Sequence, residues 1–255
     1  MAEKKNIPTD SWTDKKARWF QEAISYSTFP ENAVNAILPY LKDSVDILDI
    51  GAGVGALAIP LASKGFKISA VEPSVNMADI LQEQAEKTGN KSLIRIIRTR
   101  WEETSVVQHD AVIASNLPPG MLSNKETLVS VFNSAKRNVF IIKGTGSGPN
   151  KFFYEDLYPL IFRKQWIRKD DSAEIYGNLR EMGITPDTKI ISHRFDQRFE
   201  DMVEAVEFWK EHMKVTNDSH DDLLSDYLAG KLKKIDGGQL LLEVERKSEI
   251  IICNK

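Results

Sequence analysis

The 255-residue sequence contains a single cysteine, Cys253, and four histidines. One cysteine excludes an internal disulfide and any zinc site built from several cysteine ligands. No stretch approaches the roughly 18 uncharged apolar residues of a membrane-spanning helix. The first residues also lack the apolar core of a signal peptide. We therefore expect a cytoplasmic protein without a membrane partner.

Charge of either sign is in little excess. Lys and Arg number 34 and Asp and Glu number 37, which leaves a formal net charge of −3. A mildly acidic chain lacks the basic surface that phosphate backbones attract, so we expect no nucleic-acid partner. Hydrophobic residues make up 42% of the chain, which is typical of a globular protein. The length fits one large domain, or one domain with an appended lobe.

Short β-branched runs alternate with helical patterns, which predicts an α/β fold with a mostly parallel sheet covered by helices. Five strands are expected first, at residues 45–50, 66–71, 93–98, 111–114 and 139–143. One or two aromatic-rich helices follow within 149–183, and two further strands, at 189–195 and 249–253, are expected to lie side by side.

Helix boundaries are indicated by capping residues and breakers. Ser74 is expected to cap a helix that runs to about Lys87. Ser123 begins an S-x-x-E capping box, which predicts a helix through about Lys136. Pro60 lies inside the predicted helix 57–64, where it should remove one hydrogen bond and cause a slight kink. Residues 199–213 are expected to form an amphipathic helix.

The sharpest motif is Asp49-Ile-Gly-Ala-Gly-Val-Gly55, at the end of the first predicted strand. Glycines between a strand and a helix let a ligand approach the backbone and leave amides pointing at it. Such a loop also suits a dinucleotide, because Gly51, Gly53 and Ala56 satisfy the G-x-G-x-x-G/A form. The loop alone therefore leaves both kinds of ligand open.

Two carboxylates favour a nucleoside that carries an amine or a sulfonium. Asp49 would place a negative charge beside the phosphates of a dinucleotide, whereas it attracts a cationic group. Glu72 ends the second strand 21 residues after Gly51, a distance at which a carboxylate reaches ribose hydroxyls.

The sequence resembles the class I S-adenosylmethionine-dependent methyltransferases at four motifs. The first is residues 47–55, a strand that ends in D-x-G-x-G-x-G, and the second is the acidic residue Glu72. The third is the segment 100–103 after the third strand, and the fourth is the strand and loop 109–116. The resemblance implies a Rossmann-like, doubly wound, seven-stranded sheet with a C-terminal β-hairpin and a helical insertion on the substrate side.

The resemblance implies a role for each matching residue. The glycines would pack under the methionyl part of S-adenosylmethionine, and Asp49 would hold its amino group. Glu72 would accept hydrogen bonds from both ribose hydroxyls. Met77 would cover the adenine on one side, and Arg100 and Trp101 would flank it on the other. The implied cofactor-binding residues are Asp49, Gly51, Ala52, Gly53, Gly55, Glu72, Pro73, Met77, Arg100, Trp101 and Asn116.

Several of these residues allow another interpretation. Trp101 suits a packed core as well as an adenine contact. Asn116-Leu-Pro-Pro-Gly120 departs from the N/D-P-P-aromatic motif of nucleobase and amide methyltransferases, because Leu117 intrudes and Gly120 replaces the aromatic residue. The aromatic N-terminal segment, with Trp19 among its members, could be core or a lid over the substrate.

We predict no metal site and name no catalytic residue. His212 and the nearby Asp218 lack the spacing of a helical zinc pair. His193 and His109 are weak candidates for a general base, and Asp110 suits a turn or a cap. Cys253 lies in an apolar strand and is expected to be buried.

The predicted protein is a single S-adenosylmethionine-dependent methyltransferase domain. It would consist of N-terminal helices (1–44), a cofactor-binding core (45–145) and substrate-side helices with the last two strands (146–255). It would transfer a methyl group to a small-molecule acceptor and release S-adenosylhomocysteine. The sequence is compatible with a homodimer. The alternatives are a non-catalytic S-adenosylmethionine-binding sensor or partner subunit, and an NAD-dependent reductase.

Overall fold

The computed structural model describes residues 12–147 and 150–255. Within them, no helix is both long and apolar enough to cross a bilayer. The helices are α1 (Asp14–Ser25), α2 (Phe29–Ile37), α3 (Ala58–Ala62), α4 (Val75–Lys87), α5 (Lys125–Asn133), α6 (Tyr154–Phe162), α7 (Ser172–Glu181), α8 (Met202–Met213) and α9 (Asp221–Ala229). The strands are β1 (Asp46–Ile50), β2 (Lys67–Val71), β3 (Ile94–Ile97), β4 (His109–Ser115), β5 (Ala135–Gly144), β6 (Asp187–Arg194), β7 (Gln197–Phe199), β8 (Lys233–Lys234), β9 (Leu240–Leu242) and β10 (Glu245–Asn254).

Seven strands form the main sheet in the order β3-β2-β1-β4-β5-β10-β6. β1 to β5 pair in parallel, and β10 runs antiparallel to both β5 and β6. The strand order reverses between β1 and β4, which opens a crevice at their carboxyl ends, where ligands bind in open α/β sheets. The predicted doubly wound, mostly parallel sheet and its C-terminal antiparallel strand pair are confirmed.

Helices cover both faces of this sheet. Successive side chains of a strand point to opposite faces, so Ile47 and Ile113 pack on the side of α2, α3 and α4. Leu48 and Val112 pack on the other side, against α5 and α7. Burial on both faces explains why these strands are almost continuously apolar rather than alternating.

A second, smaller lobe lies between β6 and β10. Its three-stranded sheet has the order β7-β9-β8, and α8 and α9 pack on it through Phe208, Trp209 and Leu224. Leu157 of α6 joins the same apolar cluster. We call α6 together with residues 195–244 the cap.

The cap is attached at the carboxyl edge of the main sheet. β6 ends at Arg194 and β10 begins opposite it, since Glu245 pairs with Arg194. β5 ends beside the start of β10, where Gly144 pairs with Ser248. The cap therefore leaves the main sheet and returns to it at the edge where the crevice opens.

The helical insertion predicted within 149–183 is placed differently in the structure. Only α6 belongs to the cap, whereas α7 packs under the sheet through Ile175 and Leu179. β5 and β6 run in the same direction, and a connection between such strands uses a helix that covers the sheet. Most of the cap, residues 195–244, was not predicted as a lobe.

Three local predictions can be compared with the structure. Pro60 is the third residue of the five-residue α3. The amides of Ile59 and Leu61 on either side of it donate to the carbonyls of Gly55 and Leu57 at 3.0 and 3.1 Å, so the bond that Pro60 cannot donate is missing as expected, and the kink stays a prediction. Asn124, not Ser123, caps α5 by accepting from the Thr127 amide at 2.9 Å, and α5 ends at Asn133. The helix expected at residues 199–213 is present as α8, which begins three residues later because Phe199 belongs to β7.

Candidate functional site

The glycine-rich loop joins β1 to α3 and lies against the end of β2. The amides of Gly51 and Ala52 donate to the carbonyl of Val71 at 2.8 and 3.1 Å. Gly51 and Gly53 have φ of +69° and +56°, a region that side chains other than glycine rarely adopt. The loop is thus held in one shape by β2 and by its own glycines.

The space next to the loop differs from one glycine to the next. A Cβ on Gly51 would lie 2.3 Å from Cδ2 of Leu117, and a Cβ on Gly55 would lie 2.3 Å from Cδ1 of Leu81. A Cβ on Gly53 would meet no atom of the described residues within 4 Å. Gly53 is therefore the point of the loop that a ligand can approach directly, whereas the other two glycines allow packing.

Glu72 lies across from the loop at the end of β2. Its Oε2 accepts from the amide of Gly53 at 2.8 Å, and its Oε1 accepts from the amide of Ser74 at 2.8 Å. The side chain is only 6% exposed. Two backbone donors fix the orientation of the carboxylate beside the glycine loop, where a nucleoside ribose would have to lie.

Asp49 is buried below the loop at the end of β1, with 2% of its surface exposed. Burial and, to a lesser degree, the charge of Glu72 raise the pKa of its carboxyl to about 7, although a hydrogen bond from the Ala58 amide acts in the opposite direction. A carboxyl in this position ionises near neutral pH and favours a cation as its neighbour. The amine of a methionyl group supplies such a cation.

The start of α4 follows Glu72 directly. Ser74 caps the helix by accepting from the Met77 amide at 3.3 Å, as predicted. Pro73 is exposed. The Met77 side chain is buried against Val54 and Ala17, so it fills the contact between α4 and α1, and the adenine contact stays a prediction.

The two predicted adenine contacts that follow β3, Arg100 and Trp101, lie in different environments. Arg100 is half-buried before a short 3-10 turn. Trp101 is 7% exposed and packs with Val71 and Leu128 in the core on the α5 side. Its Nε1 donates to Oγ of Ser130 at 2.8 Å. This environment favours the core reading of Trp101 over an adenine contact.

Asn116 begins the loop after β4 at the sheet crevice. It has φ of +50°, its amide donates to the carbonyl of Ile142 at 2.7 Å, and its side chain is exposed. The next residue, Leu117, lies over Gly51. Sequence reasoning treated Leu117 only as a departure from a motif, although its position at the carboxyl end of β4 indicates a place in the crevice.

Lys143 is a further residue of this edge that the sequence analysis missed. Its Nζ donates to Asp171 at 2.8 Å and to Asp170 at 3.1 Å. Burial alone would lower the pKa of Lys143, but these bonds raise it above the usual value. Asp171 also accepts from the Gly120 amide at 2.9 Å, so the network ties the loop after β4 to the start of α7.

The two histidines considered as general bases lie in unequal places. His109 is at the amino end of β4, at the opposite edge from Asn116, and its ring bonds to Ser69 Oγ at 2.8 Å. It is too far along the strand to act in the crevice. His193 is 7% exposed, and its Nε2 bonds to Ser248 Oγ at 3.0 Å. Burial lowers the pKa of His193.

The remaining polar residues considered in the sequence have structural partners. Asp110 accepts from the Val45 amide at 2.8 Å, as expected of a turn or cap residue. Asp218 pairs with Lys210 at 2.7 Å. His212 bonds through Nδ1 to the Phe208 carbonyl at 2.7 Å. Cys253 is buried, as predicted.

Helix α1 bridges the cofactor-binding half and the cap. Trp19 is 4% exposed, lies in the apolar cluster of the cap and donates from Nε1 to Glu204 at 2.8 Å. Ala17 of the same helix packs against Met77 of α4. These contacts favour the core reading of this helix over a lid.

A cavity of about 570 Å³ lies between α1, α2 and residues 54–64. It touches Gly55 and Ala56 but neither Asp49 nor Glu72. The two carboxylates mark the crevice end of the loop, so this cavity is not assigned to the cofactor.

Comparisons with known proteins agree with this geometry. Residues 47–139 match the family model described as Methyltransferase domain. A protein named "Probable ribosomal RNA small subunit methyltransferase A" from Methanosphaera stadtmanae is 29% identical over 193 residues, which cover 75% of this chain and 60% of that protein. The chain thus matches less than two thirds of that relative's length.

Two further relatives extend the comparison. A ubiquinone biosynthesis O-methyltransferase from Rickettsia canadensis is 24% identical over 165 residues, covering 60% of this chain and 69% of the relative. The structure of magnesium protoporphyrin IX methyltransferase from Synechocystis PCC 6803, with bound S-adenosylhomocysteine, superposes with a TM-score of 0.53 at 13% identity. The match covers 92% of this chain and 85% of that one.

Residues 47–139 therefore form a methyltransferase domain, and the glycine loop and the strand order agree with the class I S-adenosylmethionine-dependent methyltransferases that the four sequence motifs resemble. The match supports an enzyme that takes its methyl group from S-adenosylmethionine. The match favours S-adenosylmethionine over the cofactor of the alternative NAD-dependent reductase.

Proposed function

We propose that the chain methylates a small-molecule acceptor that binds between the carboxyl edge of the sheet and the cap. The observation that carries the proposal is the attachment of the cap at that edge, between Arg194 and Glu245. Aromatic side chains line the junction: the ring of Phe195 lies 5.8 Å from Phe20, and Phe152 stacks on Phe208 at 5.8 Å. Walls of this kind suit a small, largely apolar ligand.

The same proposal assigns the cofactor to the crevice beside the glycine loop. Glu72 accepts hydrogen bonds from the ribose hydroxyls, and Asp49 provides the negative charge for the methionyl amine. Gly53 allows close approach, because a Cβ there meets no atom within 4 Å in the part of the chain that the structure describes. Asn116 borders the acceptor side. Of the remaining predicted contacts, Arg100 stays a candidate, whereas Met77 and Trp101 support the site through packing.

The sulfonium of S-adenosylmethionine supplies the activated methyl group, so the protein has to orient and shield the reactants. Glu72 and Asp49 fix one reactant relative to the sheet, and the cap excludes water from the other. A soft nucleophile such as a thiolate needs no general base. An oxygen or nitrogen nucleophile would gain from one. Two histidines lie at the junction: His193 pairs with Arg246 in the sheet, and the ring of His212 lies 4.6 Å from that of Phe152.

RNA is the second candidate acceptor, because one relative carries the name of a ribosomal RNA methyltransferase. A net charge of −3 gives little general attraction for a phosphate backbone, which basic surfaces normally provide. The small-molecule acceptor is therefore preferred.

The two acceptors can be separated by following the methyl group. The protein is incubated with methyl-labelled S-adenosylmethionine and either the low-molecular-weight fraction of a cell extract or its purified RNA. We expect label in the small-molecule fraction, and a Glu72→Gln variant should transfer less of it. Label in RNA alone would overturn the proposal. Binding of the cofactor without transfer to either fraction would favour the non-catalytic alternative.

A further inference from the structure

Two cations flank one aromatic ring at the junction of the cap and the main sheet. Nζ of Lys151 lies 4.5 Å from the centre of the Phe195 ring and 4.9 Å from that of Phe152. Cζ of Arg246 lies 5.9 Å from the centre of the Phe195 ring. Phe195 directly follows β6 and Arg246 is the second residue of β10, so the cations lie where the cap is attached.

Neither cation has a carboxylate partner among the residues that the structure describes. The charged group that acts on Lys151 is Arg246, and the one that acts on Arg246 is Arg168, so each cation faces another cation. Arg168 is itself paired with Glu155 at 2.7 Å. Burial and, to a lesser degree, the charge of Arg246 lower the pKa of Lys151 to about 7. A pair of this kind favours an anion that would neutralise it.

The pair also lies close to the methyl-transfer crevice. A Cβ on Gly144, the last residue of β5, would lie 3.5 Å from a terminal guanidinium nitrogen of Arg246. β5 pairs with β4 up to Ser115, and Asn116 follows at once. Arg246 is exposed and Lys151 partly exposed, so neither side chain is closed off from a ligand in solution.

We infer that Lys151 and Arg246 form a binding site for an acid group of the methyl acceptor, so the acceptor is a small organic acid whose apolar body lies along Phe195 and Phe152. The inference rests on the proposed function, because the acid group belongs to the acceptor. A guanidinium and an ammonium together bind carboxylate and phosphate alike. The shared requirement is an anionic group at one end of an apolar molecule.

A purely structural role is the alternative, since a cation above an aromatic ring stabilises a fold by itself. Lys231 offers a matched control, because its Nζ lies 5.5 Å from the centre of the Phe153 ring and 5.3 Å from that of Tyr227. It has the same kind of aromatic contact as Lys151 but lies within the cap. A Lys231→Met variant therefore measures the structural effect alone.

The test is a calorimetric titration of the full chain saturated with S-adenosylhomocysteine. The acids are benzoate and phenyl phosphate, and their neutral counterparts are benzamide and benzyl alcohol. We expect at least one acid to bind roughly tenfold more tightly than its counterpart, since a charge-assisted hydrogen bond of this kind is worth about that factor. The two acids separate a carboxylate site from a phosphate site.

Lys151→Met and Arg246→Gln should each remove most of this preference while S-adenosylhomocysteine binding and the neutral compounds stay unchanged, and Lys231→Met should behave as wild type. Equal binding of acids and neutral compounds would overturn the inference, as would an acid preference that survives both substitutions. Failure of the wild type to bind S-adenosylhomocysteine would instead contradict the proposed function. The titrations are repeated without S-adenosylhomocysteine, so the two failures are told apart.

Discussion

Replacing Asp49 with Asn should change the pH dependence of stability in a predictable direction. The carboxyl has a pKa of about 7 in the folded protein, whereas the ordinary pKa of an aspartate side chain is 3.8. An unfolded chain therefore releases this proton well before the folded chain does. The protonated carboxyl contributes its full stabilisation of the folded protein below pH 3.8, and this contribution is lost as the pH rises to about 7.

The size of the effect follows from the shift. Three pKa units correspond to about 4 kcal/mol in total, and roughly 2–3 kcal/mol of it falls between pH 5 and pH 8. Asp49 is 2% exposed, so solvent screens little of it. The free energy of unfolding is measured by urea at pH 5 and at pH 8. Between these two pH values it should fall by roughly 2–3 kcal/mol more in the wild type than in Asp49→Asn.

Asp110→Asn is the matched control. Asp110 lies at the opposite edge of the sheet, and a hydrogen bond from the Val45 amide helps lower its pKa. Its contribution is lost only as the pH falls into the acid range, so this variant should keep the wild-type dependence between pH 5 and pH 8. A wild type and an Asp49→Asn variant with parallel profiles would refute the reasoning about the buried carboxyl.

Three further predictions concern the crevice. Glu72→Gln should weaken S-adenosylhomocysteine binding roughly tenfold or more in calorimetry, because it weakens charge-assisted acceptance, whereas Glu83→Gln on the exposed surface should leave it unchanged. Gly53→Ala should lower the free energy of unfolding by about 1–2 kcal/mol, as expected for a left-handed residue, and should weaken binding as well; normal binding would contradict the proposed close approach. Trp101→Phe should lower the free energy of unfolding by about 1 kcal/mol through the lost hydrogen bond to Ser130 and leave S-adenosylhomocysteine binding unchanged. Weaker binding without a loss of stability would instead favour an adenine contact for Trp101.

The parts of the fold that depend on local patterns could be predicted from the sequence alone. The five parallel strands, the Ser74 cap and the glycine loop could be predicted because each depends on neighbouring residues. Glu72 was found through its fixed distance from Gly51. The proposed division into 1–44, 45–145 and 146–255 stays a prediction.

The cap could not be predicted because long-range contacts hold it together. β7 and β9 pair across residues 197 and 242, and Trp19 reaches Glu204 from the other end of the chain. No local pattern records such contacts. Lys151 and Arg246 meet at Phe195 for the same reason, since three distant segments converge at one edge of the sheet.

Trp101 shows the opposite limit of sequence reasoning. Its place after β3 fits an adenine contact, yet its indole is directed toward Ser130 on α5. The position along the chain was predicted, but the direction of the side chain depends on the helix that packs beside it.

The most direct test of the account is a melting experiment with S-adenosylmethionine, S-adenosylhomocysteine, NAD and NADP in parallel on the wild type and on Glu72→Gln. A ligand at about 100 times its Kd stabilises the native state by roughly 2.7 kcal/mol, which a melting curve resolves. The account predicts a rise in Tm with the two adenosyl ligands alone, and a smaller rise in the variant. A rise with the dinucleotides alone would contradict it.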